Sequence, residues 1–93
     1  MKRDRYLYVM YDVKDDTNRS ALASRLIYYG MQRVQYSVFR GVVNARDKML
    51  VESEIRDMVD DGDKVHIIDL CEACRKNLIT IGDVPAVPQH LIL

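Results

Sequence analysis

The strongest pattern in the chain is an apolar alternation close to its start. Leu7, Val9, Tyr11 and Val13 form one alternating set and Tyr6, Tyr8 and Met10 the other, with no Gly or Pro between them. Aromatic and β-branched residues at this density predict a β-strand. Both sets being apolar predicts a strand in the middle of the fold, covered on its two faces. Asp12 falls in the second set, at the strand's end. A carboxylate placed there must be paired, hydrogen-bonded or metal-bound.

A helical period comes next. Asp15 and Asp16 are candidate N-caps and favour the positive end of a helix. Leu22, Leu26 and Tyr29 then form one stripe, with Ile27 beside it, over a helix at 17–29 that Gly30 closes. Period two returns over 31–43, where Val34, Tyr36 and Val38 alternate with Arg33, Gln35, Ser37 and Phe39. Thirteen residues exceed the usual strand and suit two short ones, broken near Ser37 or near Gly41. Asn44 caps a second expected helix, 45–59, whose stripe is Val51, Ile55, Met58 and Val59, widened by Leu50. Lys64–Leu70 reads as a further strand, a Cys71-x-x-Cys74 turn follows, and 78–81 reads as a last short strand.

The order β-α-β-β-α-β is that of a ferredoxin-like α+β domain, an antiparallel sheet with both helices on one face. The other face carries Tyr6, Tyr8 and Met10 and needs a cover, which a second copy of the chain would supply. The expectation is one domain over 1–82, dimeric through that open face. The apolar extension 83–93 is expected to strap across the partner subunit.

Composition changes this picture in one respect. The formal net charge is zero, but residues 1–46 hold nine Lys/Arg against four Asp, and residues 47–93 hold five basic against ten acidic residues. Seven of the nine are Arg, whose fork suits phosphate oxygens, so a nucleic-acid partner stays open beside the plain reading of solvated faces. No apolar run approaches the ~18 residues of a membrane span. Two cysteines three apart make a poor disulfide framework, and the expected compartment is the cytoplasm.

At this point the motifs resemble a known family. Tyr11-Asp12-Val13-x-Asp15-Asp16-x-x-Arg19, then Tyr29-Gly30, then Arg33-Val34-Gln35-Tyr36-Ser37-Val38-Phe39-x-Gly41 is similar to the CRISPR-associated protein 2 family over about 6–81. The chain departs from the family pattern at Arg40, where an acidic residue is expected, and at Asn18, where a second basic residue is common. The resemblance implies a small ferredoxin-like dimer in the spacer-acquisition step of prokaryotic adaptive immunity. It implies either of two roles. One is a metal-dependent endonuclease on single-stranded RNA or double-stranded DNA. There, Asp12 from each subunit would hold a divalent cation, usually Mg2+, with Mn2+ as a substitute. The other is a structural bridge that pairs with the CRISPR-associated integrase (protein 1) and holds pre-spacer DNA without hydrolysis of its own. A related ribonuclease toxin is a third and more distant reading.

The residue chemistry bears on these roles. Phosphodiester hydrolysis needs charge neutralised on phosphoryl oxygens and a water made nucleophilic, and a divalent metal does both. Mg2+ keeps several waters and takes only one or two carboxylates, which two Asp12 side chains across a two-fold axis would satisfy. Paired carboxylates repel, so activity is expected to depend on both pH and metal. The alternative for Asp12 is a cap on backbone amides at the strand-to-helix turn. Arg19 would hold a scissile phosphate or pair with Asp15 or Asp16. Arg33 and Arg40 would grip the backbone from the paired strands. Tyr11 and Phe39 would stack on bases or fill the core. Ser37 has no His and acid companions for a triad and is expected to donate a hydrogen bond near the metal. Cys71 and Cys74 read as half a zinc site completed by His66, by His90 or by the cysteines of a partner subunit, as a redox pair, or as plain thiols in a turn.

Overall fold

The computed structural model describes residues 4–83. Its elements are β1 (Arg5–Asp12), α1 (Asp16–Tyr28), β2 (Gln32–Gln35), β3 (Val38–Val43), α2 (Ala45–Met58), β4 (Lys64–Leu70) and a short α3 (Glu72–Asn77). The four strands lie in the order β2-β3-β1-β4, with every neighbouring pair antiparallel. This is the ferredoxin-like arrangement that the periodicity predicts. β1 is central, between β3 and β4, and that is why its sequence is apolar on both alternating sets.

The helices begin and end where their local chemistry dictates. The Asp15 carboxylate accepts the Asn18 N–H at 2.9 Å and starts α1, and the Asn44 side chain accepts the Asp47 N–H at 2.7 Å and starts α2. After α1, the Gly30 N–H bonds to the Ile27 carbonyl and the Met31 N–H to that of Leu26, at 2.9 and 3.0 Å. That double bond is a Schellman closure, and Gly30 supplies its left-handed residue at φ +90°.

The core fills the space between the helices and one face of the sheet. Leu7, Val9, Tyr11 and Val13 of the β1 region meet Leu22, Ala23 and Leu26 of α1, Phe39 and Val43 of β3, and Val51 and Ile55 of α2. The break in the 31–43 stretch falls at Tyr36 and Ser37, and Gly41 stays inside β3. Gly41 is there because Met31 crosses it closely. A Cβ at that position would stand 2.8 Å from the Met31 Cα and 3.0 Å from its Cγ. Gly41→Ala is therefore expected to destabilise the fold by about 1–3 kcal/mol, the usual cost of overpacking. Urea denaturation should show a lower midpoint at an unchanged slope.

The expected strand at 78–81 is not formed. Residues 72–77 make α3 instead, started by Cys71, whose Sγ accepts the Cys74 N–H at 3.4 Å. Among the described residues the 78–81 segment pairs with no strand, and Ile79 and Ile81 are largely exposed. Its apolar alternation reflects a position beside the open sheet face, along a cleft lined also by Tyr8, Val34, Gln35 and Arg40. On that face the register aligns Tyr6 with Val42 and Leu70, Tyr8 with Arg40 and Ile68, and Met10 with Val38 and His66. Tyr6 is buried there, stacked against Tyr8 and lying under the Arg75 guanidinium, whose Nη2 donates to the Asp4 carbonyl at 3.0 Å. The expected partner-spanning strap covers 83–93, and all of it but Asp83 lies outside the described residues.

Candidate functional site

β1 delivers Asp12 to the rim of the open sheet face, opposite Lys64 in register. The carboxylate is well exposed, and the Lys14 ammonium lies 3.2 Å from both of its oxygens. Backbone capping at this turn is done by other carboxylates. Asp15 caps α1. Asp63 reaches across from the loop before β4, its Oδ1 accepting the Lys14 N–H at 3.1 Å and its Oδ2 the Asp60 N–H at 2.9 Å.

Arg19 holds the same loop from the helix side. Its Nη1 donates to the carbonyls of Val13 and Lys14 at 3.0 and 3.4 Å, and its Nη2 pairs with Asp16. The loop that follows Asp12 is thus fixed at three successive backbone groups, and Asp12 stands at its entrance. The turn between β2 and β3 closes on the same end of the sheet. The Ser37 carbonyl accepts the Tyr11 N–H at 3.1 Å, which seats the half-buried Ser37 beside the end of β1.

Arg33 joins Arg19 around a small cleft of about 170 Å³, lined also by Tyr11, Ser20 and Tyr36. The Arg33 guanidinium lies 5.0 Å from the Phe39 ring centre and 5.9 Å from that of Tyr36. Tyr11 edges the cleft with a buried hydroxyl that has no hydrogen-bond partner among the described residues. This cleft and Asp12 therefore lie at one end of the sheet but on opposite faces, the cleft on the helix side with Tyr11 and Phe39 and Asp12 on the open side.

One expected assignment changes, that of Arg40, and the two readings of Tyr11 and Phe39 are resolved towards the core. Arg40 is not a surface fork: it is 4% exposed, on the open face of β3 between Tyr8 of β1 and Gln32 of β2. Alternation assigned it a face, but nothing local in the sequence says that 78–81 passes beside that face. Tyr11 and Phe39 are core residues, not base platforms. Their rings stack on each other at 6.3 Å, and Phe39 is fully buried. The aromatic side chain that the β2–β3 turn does expose is Tyr36. Sequence reading missed it because the turn itself was not located. It also missed Asp63, whose partner Lys14 is 49 positions away.

Cation chemistry within one chain is sparse. Among the described residues no group of three or more His, Cys, Asp or Glu side chains is placed to hold a metal. The zinc reading of Cys71 and Cys74 with His66 is thereby removed, and His90 lies outside the described residues. Asp12 stands exposed at the sheet rim, with the Lys14 ammonium beside it. Among the described residues no helix is long and apolar enough to cross a membrane.

Asp63 gives the loop a pH dependence. The backbone N–H groups of Asp60 and Lys14 hold its carboxyl below the usual range, favouring the carboxylate in the folded state. Its contribution is present above the ordinary carboxylate range and is lost as pH falls through the lowered folded value. Thermal unfolding followed from about pH 6 down to about pH 3 should show Asp63→Asn to be less stable than wild type at the upper end, with the difference shrinking towards the lower end.

The comparisons with known proteins agree with this fold. The family model for CRISPR associated protein Cas2 matches residues 5–78. The CRISPR-associated endoribonuclease Cas2 1 of Archaeoglobus fulgidus is 42% identical over 76 residues, covering 81% of each chain. The CRISPR-associated endoribonuclease Cas2 2 of Methanospirillum hungatei JF-1 is 37% identical over 87 residues, 94% of this chain and 97% of that one. A crystal structure of a hypothetical protein from Thermus thermophilus matches with a TM-score of 0.74 at 31% identity, covering 89% of this chain and 96% of the other. Matches of this extent make the chain a member of the CRISPR-associated Cas2 family.

Proposed function

We propose that the chain is a metal-dependent endonuclease of CRISPR adaptation, active as a homodimer joined through its open sheet face, in the cytoplasm. The observation that carries this reading is the exposed Asp12 at the rim of that face, on a loop pinned by Arg19 and Asp63. Dimerisation would cover the Tyr8, Met10 and Ile68 surface and bring a second Asp12 near the first. The donor set then fits Mg2+ or Mn2+, which takes one or two carboxylates and otherwise water. When bound, the cation would supply charge neutralisation at the phosphoryl group and an activated water.

The chain's own groups do the positioning. Arg19 and Arg33 face one cleft with two guanidinium groups, suited to phosphate oxygens of an RNA or DNA backbone. Ser37, whose carbonyl accepts the Tyr11 N–H, would donate a hydrogen bond beside Asp12. Relatives named as endoribonucleases favour RNA as the substrate class.

One observation favours a second reading, a non-catalytic dimer that holds pre-spacer DNA and engages the integrase. The Asp12 carboxylate is already neutralised by Lys14, which a cation would have to displace. Incubating the protein with labelled single-stranded RNA and duplex DNA, in Mg2+, in Mn2+ and in chelator, separates the two. Cleavage that chelator abolishes supports the enzyme. Binding without cleavage in either metal supports the bridge.

A further inference from the structure

Cys71 and Cys74 are used by none of the chemistry above. Both are free and exposed, one at the cap of α3 and the other in its first turn. The backbone at Cys71 is extended, which turns its Sγ towards the following turn, where it accepts the Cys74 N–H. That 3.4 Å bond sets the Cys71 sulfur against the backbone of Cys74 itself, so the two cysteines meet within a single turn.

We propose that Cys71 and Cys74 form a redox-active dithiol that undergoes thiol–disulfide exchange with low-molecular-weight disulfides, Cys71 attacking and Cys74 resolving. The inference stands independently of the nuclease reading. In the first step the Cys71 thiolate attacks one sulfur of the incoming disulfide. A mixed disulfide forms on Cys71, and the other sulfur leaves as a thiolate that takes up a proton. In the second step Cys74 loses its proton to solvent and attacks the Cys71 sulfur, expelling the second thiolate. The two cysteines are oxidised to an internal disulfide, and the small disulfide is reduced to two thiols.

The division of labour follows from the asymmetry of the pair. Cys71 accepts the Cys74 N–H and the Cys74 thiol, and both bonds favour its thiolate and lower its pKa. Cys74 donates to Cys71, which favours its protonated form and raises its pKa. Exposure gives a small disulfide access to Cys71, and the neighbouring thiol makes ring closure an intramolecular event. Arg75, the residue after Cys74, anchors α3 to the Leu70 and Asp4 carbonyls and holds the turn against the sheet.

The test uses the full chain, reduced and then equilibrated anaerobically with glutathione and glutathione disulfide at a series of ratios. Intact mass and tryptic mapping should show loss of two hydrogens at the Cys71–Cys74 peptide along a reversible titration curve. Cys74→Ser should trap one glutathione on Cys71. Under N-ethylmaleimide at neutral pH, Cys71 should be alkylated at least about tenfold faster than Cys74. Equal alkylation rates, a stable glutathione adduct on the wild type with no ring closure, or disulfides only between chains would each overturn the proposal. A nuclease-negative result would leave it untouched, because no readout involves nucleic acid.

Discussion

Asp12→Ala is expected to lower metal-dependent cleavage by at least about a hundredfold, equivalent to ~3 kcal/mol of lost transition-state stabilisation, while leaving the fold intact. The carboxylate is mostly exposed and its Lys14 pair is a surface contact, so its removal should change stability by no more than about 1 kcal/mol. Activity and stability therefore separate at this position. Asp12→Asn should behave like Asp12→Ala, because a neutral amide keeps the shape and loses the charge that a divalent cation needs. Lys14→Ala removes the competing ammonium. It should lower the metal concentration needed for half-maximal cleavage, which a Mg2+ titration of the rate would read. Circular dichroism of each variant should match wild type.

Phe39→Ala carries the second large effect, and it acts through the fold. Phe39 is fully buried, stacks on Tyr11 and lies under the Arg33 guanidinium. Truncating a buried phenylalanine costs about 3–5 kcal/mol through lost burial and the cavity left behind, a large share of the ~5–15 kcal/mol available to a small domain. Denaturant midpoints should fall accordingly, and cleavage should fall with the folded fraction. Phe39→Leu should restore most of the stability. If Phe39 acted as a base platform, Phe39→Leu would remain inactive while stable, and binding of single-stranded RNA would fall with unchanged unfolding.

The contrast between these two positions shows which links of the chain were legible in the sequence. Periodicity marked every strand of the sheet and both long helices, because β1 is apolar on two faces and the stripes of α1 and α2 each have one. The caps at Asp15, Asn44 and Gly30 were legible because capping is local chemistry. The stretch 71–81 was not, since a Cys-x-x-Cys turn and a six-residue helix have no periodicity to read, and the exposed apolar residues after it imitate a strand. Asp12 and Ser37 were visible as motif residues. Their proximity was not, because it depends on the Tyr11–Ser37 backbone bond and on where the hairpin turns. The Asp63 clamp and the burial of Arg40 depend on contacts far apart in the chain, which no local pattern encodes.

The central claim is that two chains share one cation through Asp12. Its most direct test is a titration of metal-free protein with Mn2+, followed by electron paramagnetic resonance with the oligomeric state measured in the same samples. The account predicts a dimer that binds one Mn2+ per two chains, and a dimer of Asp12→Ala that binds none. One tightly bound ion per chain, or binding that survives in Asp12→Ala, would contradict it.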